Sequence, residues 1–278
     1  MFKKVAIIGV GLIGGSIGLA LKKKRLAKEI VGVCRHKTSL ARAKRKRAID
    51  NGTLDYKDAV KGADLVILAT PVNKIISIGK AIAPLLEPNC LVTDVGSTKE
   101  VIAKELEGCI GRRCSFVGSH PMAGSEKRGV AQARAGIFKG ALCFVVKTSR
   151  TKKSALKRVN RLWRDLGCRV KVLSPQRHDQ IVAVISHLPH LAAGQLVNAA
   201  KNSLSFAASG FLDSTRIAAS DSEIWTDIFL TNKKAIMQVV NNYIRNLKRV
   251  SRLIKEEKEG SLRAECKKIK DLRDVLSR

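Results

Sequence analysis

The run KVAIIGVGLIGGSIG, residues 4–18, narrows the possible folds more than any other part of this chain. An apolar, β-branched segment ends in glycine, and a helical pattern opens at once, from about Leu12 to Lys24. The glycines fall as G-x-G-x-x-G at Gly9, Gly11 and Gly14. In a strand–turn–helix each has a task. Gly9 allows the tight turn, Gly11 leaves bare backbone against a pyrophosphate, and Gly14 lets the helix close on the strand. The first helical turn, Leu12 and Ile13 included, then offers free N–H groups and a partial positive charge to the anion. A dinucleotide is the expected ligand.

The rest of the amino-terminal part repeats this plan. EIVGVC, ADLVILAT, NCLVTDVGS, CSFVGSH, ALCFVVK and CRVKVL read as strands. Helical segments alternate with them, one starting at Thr38 or Ser39 as cap and another around residues 155–166. Alternation of this kind predicts a parallel, doubly wound α/β sheet covered on both faces. After Ser174-Pro175 the character changes, and the remaining patterns are all helical. The expected division is a Rossmann-type dinucleotide-binding domain over 1–173 and an all-helical domain over 174–278.

Composition sets limits on this plan. The 278 residues are 45% hydrophobic, enough for a substantial core. No apolar run in the bare sequence reaches membrane-span length, and MFKK with the apolar run behind it lacks a convincing cleavage site. The seven cysteines form no C-x-x-C pair and read as reduced, small, buried residues. A cytoplasmic protein with no metal site is expected. The net charge of +30 is spread over many helices, and aromatics are only 4%, so nucleic-acid binding is disfavoured. A positive field of that size instead gathers small anions.

The second strand ends in Val33-Cys34-Arg35-His36-Lys37, with no acid where a ribose-binding carboxylate is usual. Arg35 and His36 would meet a 2′-phosphate, so the cofactor reading is NAD or NADP, leaning to NADP or dual use. Thr70, which closes ADLVILAT, completes the candidate cofactor set.

His120 follows an apolar strand and precedes Pro121. Ligands of doubly wound sheets collect beyond the carboxyl ends of the strands, so His120 and Ser97 in DVGSTK are expected on one rim. An imidazole beside a nicotinamide suits alcohol oxidation: it takes the hydroxyl proton while hydride leaves the carbon. His187 and His190, at i and i+3 on an apolar helix, read from spacing alone as core residues. His178-Asp179 reads as a contact or cap at the start of the helical part.

GVGLIGGSIGLAL, DVGSTK, GSHPMAGSE, SHLPH and STRIAASDSEIWTDIFLTNK occur in this order. Together they resemble the prephenate dehydrogenase family, with its arogenate and cyclohexadienyl dehydrogenase relatives, from Lys4 to about Asn242. The resemblance implies oxidative decarboxylation of prephenate to 4-hydroxyphenylpyruvate in tyrosine biosynthesis, or of arogenate to tyrosine. It places the catalytic histidine on His120 and its partner serine on Ser97. It assigns substrate contacts to Arg216, His187 and His190, and an ordering role at the active site to Glu126. It also implies a homodimer through the helical domain, to which IMQVVNNYIRNLKRVSRLI would contribute. The length suggests a single-function enzyme without an appended regulatory domain or fused mutase. Another two-domain NAD(P)-dependent hydroxyacid dehydrogenase, or a basic nucleic-acid-binding protein on a dehydrogenase scaffold, are the weaker alternatives.

Overall fold

The computed structural model describes residues 1–111, 113–124 and 129–277. The chain packs as two compact units, Met1–Lys233 and Lys234–Arg278.

The first unit opens with β1 (Phe2–Ile8), α1 (Leu12–Lys23), β2 (Ala27–Val33), α2 (Lys37–Arg45), β3 (Asn51–Thr53) and α3 (Tyr56–Val60). It continues through β4 (Leu65–Leu68), α4 (Val72–Ile82), β5 (Leu91–Asp94), α5 (Glu100–Ile110) and β6 (Ser115–Phe116). Among the described residues, these six strands make one parallel sheet in the order β3-β2-β1-β4-β5-β6. That is the dinucleotide-binding order, with its switch point between β1 and β4. Side chains alternate across the sheet. Val5 and Ile7 join Ile17, Leu21 and Trp163 on one face. Ala6 and Ile8 join Ile75, Ile82 and Leu106 on the other. Both faces are covered, which explains why the strands read as unbroken apolar runs. The short β3 and α3 carry too little pattern to be read from sequence. The N-cap of helix α2 is His36, two residues ahead of Thr38, the nearer of the expected caps, and it makes no side-chain cap bond.

CSFVGSH is not one strand. Val117 N–H still donates to Val92 of β5 (3.0 Å), but the Gly118 carbonyl already accepts from Val146 (2.9 Å). The chain changes sheets at Gly118, where a Cβ would lie 2.9 Å from Val146 Cγ2 and 3.2 Å from Asp94 Oδ1. β7 (Ser119–Pro121) then pairs antiparallel with β8 (Leu142–Val146). After α6 (Lys153–Asp165), β9 (Arg169–Leu173) pairs parallel with β8 in this second, three-stranded sheet. The expectation of parallel strands throughout therefore fails after Phe116. A backbone crossing that only glycine fits leaves no trace in hydrophobic pattern.

From Pro175 the described chain is helical: α7 (Pro175–Val182), a π-helical turn Ala183–His187, α8 (Leu188–Ala199), α9 (Ser209–Thr215), a 3₁₀ turn Arg216–Ala219, and α10 (Ser222–Thr231). Helix α7 packs on α5, and α10 on α4. The continuous run Pro175–Ala199 is long and apolar enough to cross a membrane by length and composition. It carries His178, Asp179 and His187, however, all buried and hydrogen-bonded within the first unit.

The second unit holds α11 (Lys233–Lys255), apart from its first residue, and α12 (Glu259–Asp274). An Arg249–Glu265 ion pair joins them. Met237, Ile244 and Leu247 of α11, and Ile269 and Leu272 of α12, are exposed.

Candidate functional site

The glycine loop has the geometry its sequence called for. Gly9 takes φ +96°, and a Cβ there would meet the Ala69 carbonyl oxygen at 2.6 Å and Thr70 Cγ2 at 2.9 Å. A Cβ at Gly14 would collide with the Gly9 carbonyl oxygen. At Gly11, by contrast, a Cβ would meet nothing within 4 Å. So Gly9 and Gly14 are needed for the turn and for helix packing, whereas Gly11 borders open space. Helix α1 begins at Leu12 with no side-chain cap bond and no acid in its first turn. Its leading N–H groups, those of Leu12, Ile13 and Gly14, are therefore available to an anion. Thr70 Oγ1 is buried without a partner beside this loop. Open backbone, uncapped donors and an orphan hydroxyl together fit a bound dinucleotide. Gly9 N–H donates to Val33 O (2.9 Å), which ties the loop to the end of β2, where Arg35 and His36 are exposed.

His120 lies on β7, opposite Phe144 of β8, and is 8% exposed. The segment after it returns to the glycine loop: a Cβ at Gly124 would stand 3.8 Å from Ile13 Cδ1. His120 Nδ1 is 2.9 Å from His178 Nε2, and His178 Nδ1 is 2.7 Å from Asp179 Oδ1. Asp179 Oδ1 also accepts from Lys99 N–H (2.7 Å), and its Oδ2 from Glu100 N–H (2.9 Å). The carboxylate thus caps α5 from 79 residues further along the chain. Phe144 meets the His178 ring edge to face, with centroids 5.3 Å apart.

Ser97 sits half-buried in the β5–α5 turn, and its neighbours are fastened in several directions. Gly96 N–H donates to Asp94 Oδ2 (2.8 Å), Thr98 Oγ1 to Thr231 Oγ1 (3.0 Å), and Lys99 N–H to Asp179. The Lys99 ammonium, fully buried, pairs with the equally buried Asp94 carboxylate. Asp94 also accepts from Ser119 N–H (3.3 Å), one residue before His120. The serine turn and the histidine strand therefore share one buried ion pair.

Burial holds the His120 imidazole well below its ordinary pKa, and the electrostatics of its histidine neighbours and of Lys99 act in the same direction. His178 is lowered to about 2, chiefly by burial and then by Lys99. Burial raises the Asp179 carboxyl, and the bonds from Glu100 and Lys99 oppose the rise. Both imidazoles are neutral at pH 7, each with one N–H and one lone pair.

His187 is 1% exposed, ends the π-helical turn, and its Nδ1 is 3.2 Å from Asn232 Nδ2, which also bonds the Asp179 carbonyl (2.8 Å). Single π-turns of this kind gather at functional sites. His190 stacks on Trp225, with centroids 3.6 Å apart and planes at 24°, and its Nε2 is buried without a partner. Arg216 is exposed and opens the 3₁₀ turn that packs on α8, the helix carrying His190. Glu126 lies outside the described residues.

The structure thus joins His120 to the Ser97 turn through shared anchors, and places His187 behind that centre. Sequence reasoning missed Lys99 and Asn232, and it gave His178 no role toward His120. The only local signal for Lys99 was its place in DVGSTK.

Comparison with known proteins agrees with this architecture. The family description "Prephenate dehydrogenase, nucleotide-binding domain" matches residues 17–172, and "Prephenate dehydrogenase, dimerization domain" matches 174–268. The chain is 36% identical to prephenate dehydrogenase of Bacillus subtilis over 98% of its own length and 76% of the relative's. It is 34% identical to cyclohexadienyl dehydrogenase of Zymomonas mobilis, over 90% and 88%. The crystal structure of Aquifex aeolicus prephenate dehydrogenase with hydroxyphenyl propionate and NAD+ superposes with a TM-score of 0.94, at 34% identity and 99% coverage of both chains. Synechocystis arogenate dehydrogenase superposes at 0.85, with 28% identity over 98% and 99%. Strand order, glycine loop, histidine centre and these matches lead to one conclusion: the chain belongs to the prephenate dehydrogenase family of NAD(P)-dependent oxidoreductases.

Proposed function

We propose that the protein oxidatively decarboxylates prephenate to 4-hydroxyphenylpyruvate in tyrosine biosynthesis, with His120 as the base. The observation that supports this most is the pairing of a neutral, buried imidazole with a segment that folds back on the dinucleotide loop. A bound nicotinamide would accept the hydride from the alcohol carbon of the ring. As hydride leaves, His120 takes the hydroxyl proton. The ring carboxylate then departs as carbon dioxide, its bonding electrons aromatise the ring, and His120 returns the proton to the phenolate oxygen. Ser97, in its anchored turn, positions the hydroxyl. Arg216 grips a substrate carboxylate with two parallel N–H bonds. His190, with its unpartnered Nε2, offers a further polar contact, and His187 supports the site from behind. Glu126 is assigned its ordering role from the family motif alone. Arogenate is the alternative substrate.

Residues 1–173 hold the cofactor, and 174–278 supply substrate contacts and the dimer. Exposed Arg35 and His36 at the end of β2, with no carboxylate there, favour NADP or dual use. The exposed apolar residues of α11 and α12 support a homodimer, and the reading remains that of a cytoplasmic enzyme without a nucleic-acid partner.

Steady-state assay of prephenate and arogenate, each with NAD and NADP, tests the assignment. His120→Asn should lower kcat by about 10²–10⁴-fold while prephenate still binds. Turnover of neither substrate by the wild-type protein, or wild-type turnover by His120→Asn, would refute it.

A further inference from the structure

We propose that His178 and Asp179 are positioning residues: they fix the proton of His120 on Nδ1 and leave Nε2 as the bare nitrogen that receives the substrate's hydroxyl proton. This rests on the reading of His120 as the base.

The proton positions are set from the start of helix α5. Both oxygens of Asp179 accept backbone N–H groups, from Lys99 and from Glu100. Those hydrogens cannot move, and a helix N-terminus favours the ionised carboxylate. Asp179 is therefore the acceptor, and His178 Nδ1 carries the proton at 2.7 Å. A neutral His178 has only that one proton, so its Nε2 is an acceptor. Across 2.9 Å the donor is then His120 Nδ1–H. A neutral His120 has its single proton committed there, and Nε2 keeps its lone pair. Each tautomer is dictated by the one before it, and the first is set by backbone donors that no rotamer change can supply. No proton travels along the chain, because His178 stays neutral throughout. The neighbours support this: Lys99 and burial both disfavour a second proton on His178.

Held this way, the imidazole is oriented as well as protonated correctly. His178 is fully buried between His120 and Phe144, so it cannot turn without breaking its packing. Misdirecting a base by one tautomer or about one ångström costs on the order of 10²-fold or more in rate.

Two substitutions separate the link to His120 from the link to Asp179. Glutamine at 178 reaches as far as Nε2 and can present a carbonyl oxygen to His120. Asparagine is shorter and keeps only the contact with Asp179. His178→Gln should retain kcat for prephenate within about threefold, whereas His178→Asn should lose at least about tenfold, with KM within about twofold in both. Equal losses in the two variants, no loss in either, or losses confined to KM would overturn the proposal. A purely structural role predicts one of those patterns.

The wild-type protein supplies a test free of folding effects. With 15N-labelled histidine, NMR at neutral pH should show His120 protonated at Nδ1 and bare at Nε2, with His178 the same. A proton on Nε2 of either ring overturns the proposal. That measurement needs no substrate, so it stands or falls separately from the activity of His120→Asn, which tests the underlying reading.

Discussion

Replacing Lys99 with methionine removes an ammonium group from a place that water does not reach. Lys99 and Asp94 both have zero exposure. Asp94 is left with two backbone donors, Gly96 at 2.8 Å and Ser119 at 3.3 Å, and no countercharge from Lys99. Breaking a buried pair on one side costs roughly 3–5 kcal/mol, and the remaining N–H bonds put this case near the lower end, about 3 kcal/mol. For a chain of this size that is a fall of roughly 6–12 °C in Tm. Adding Asp94→Asn removes the stranded charge, so the double variant should recover at least about 1 kcal/mol over Lys99→Met. The pH dependence has a definite sign. Without Lys99 the folded carboxyl takes up a proton more readily than the unfolded one, so the native state binds more protons. The deficit of Lys99→Met against wild type should therefore shrink as pH falls, by up to about 1.4 kcal/mol per unit. Denaturant melts at pH 7 and pH 5 measure the free energies, and a thermal melt at pH 7 the fall in Tm, all at one fixed protein concentration. A Lys99→Met protein as stable as wild type, or a double variant no better than the single one, would refute the reasoning.

Gly14→Ala should abolish cofactor binding by calorimetry, because its methyl would land on the Gly9 carbonyl and force the turn open. Arg35→Ala should raise KM for NADP at least about tenfold, the value of one charge-assisted contact, with little change for NAD; equal effects on both cofactors would remove Arg35 from a 2′-phosphate site. His187 is lowered to about 4, mainly by burial, so the unfolded chain binds its proton first as pH drops from 7. That one group should withdraw about 2 kcal/mol of stability between pH 7 and pH 5, and His187→Gln should flatten the slope over this window.

The glycine loop was legible because its chemistry is backbone chemistry. Gly9, Gly11 and Gly14 announce a tight turn, an open cradle and a close helix without help from distant residues. The β1–α1–β2 start and the helical run after Pro175 were legible for a similar reason, since burial on two faces or one stripe writes itself into local periodicity. The break at Gly118 was not. Phe116 to His120 is one apolar-to-polar stretch, and the change of partner from Val92 to Val146 depends on strands 25 and 28 residues away. The surroundings of His120 were harder still. His178 is 58 residues distant and reads locally as an ordinary helix-start histidine. Lys99 looked like one more cation in a chain that has 53 of them, and only the fold shows that it is buried.

The cap on α5 has a consequence for how this protein can be divided. Asp179 lies beyond residue 173, yet it satisfies the first donors of a helix in the nucleotide-binding part and steadies the ring behind His120. A chain cut after β9 would keep every strand of both sheets. It would nevertheless leave two amide groups bare at the start of α5, and Nδ1 of His120 without the His178 nitrogen it pairs with. Recombining the amino-terminal half of one relative with the carboxyl-terminal half of another should therefore succeed only where this carboxylate and its two amides are kept in register.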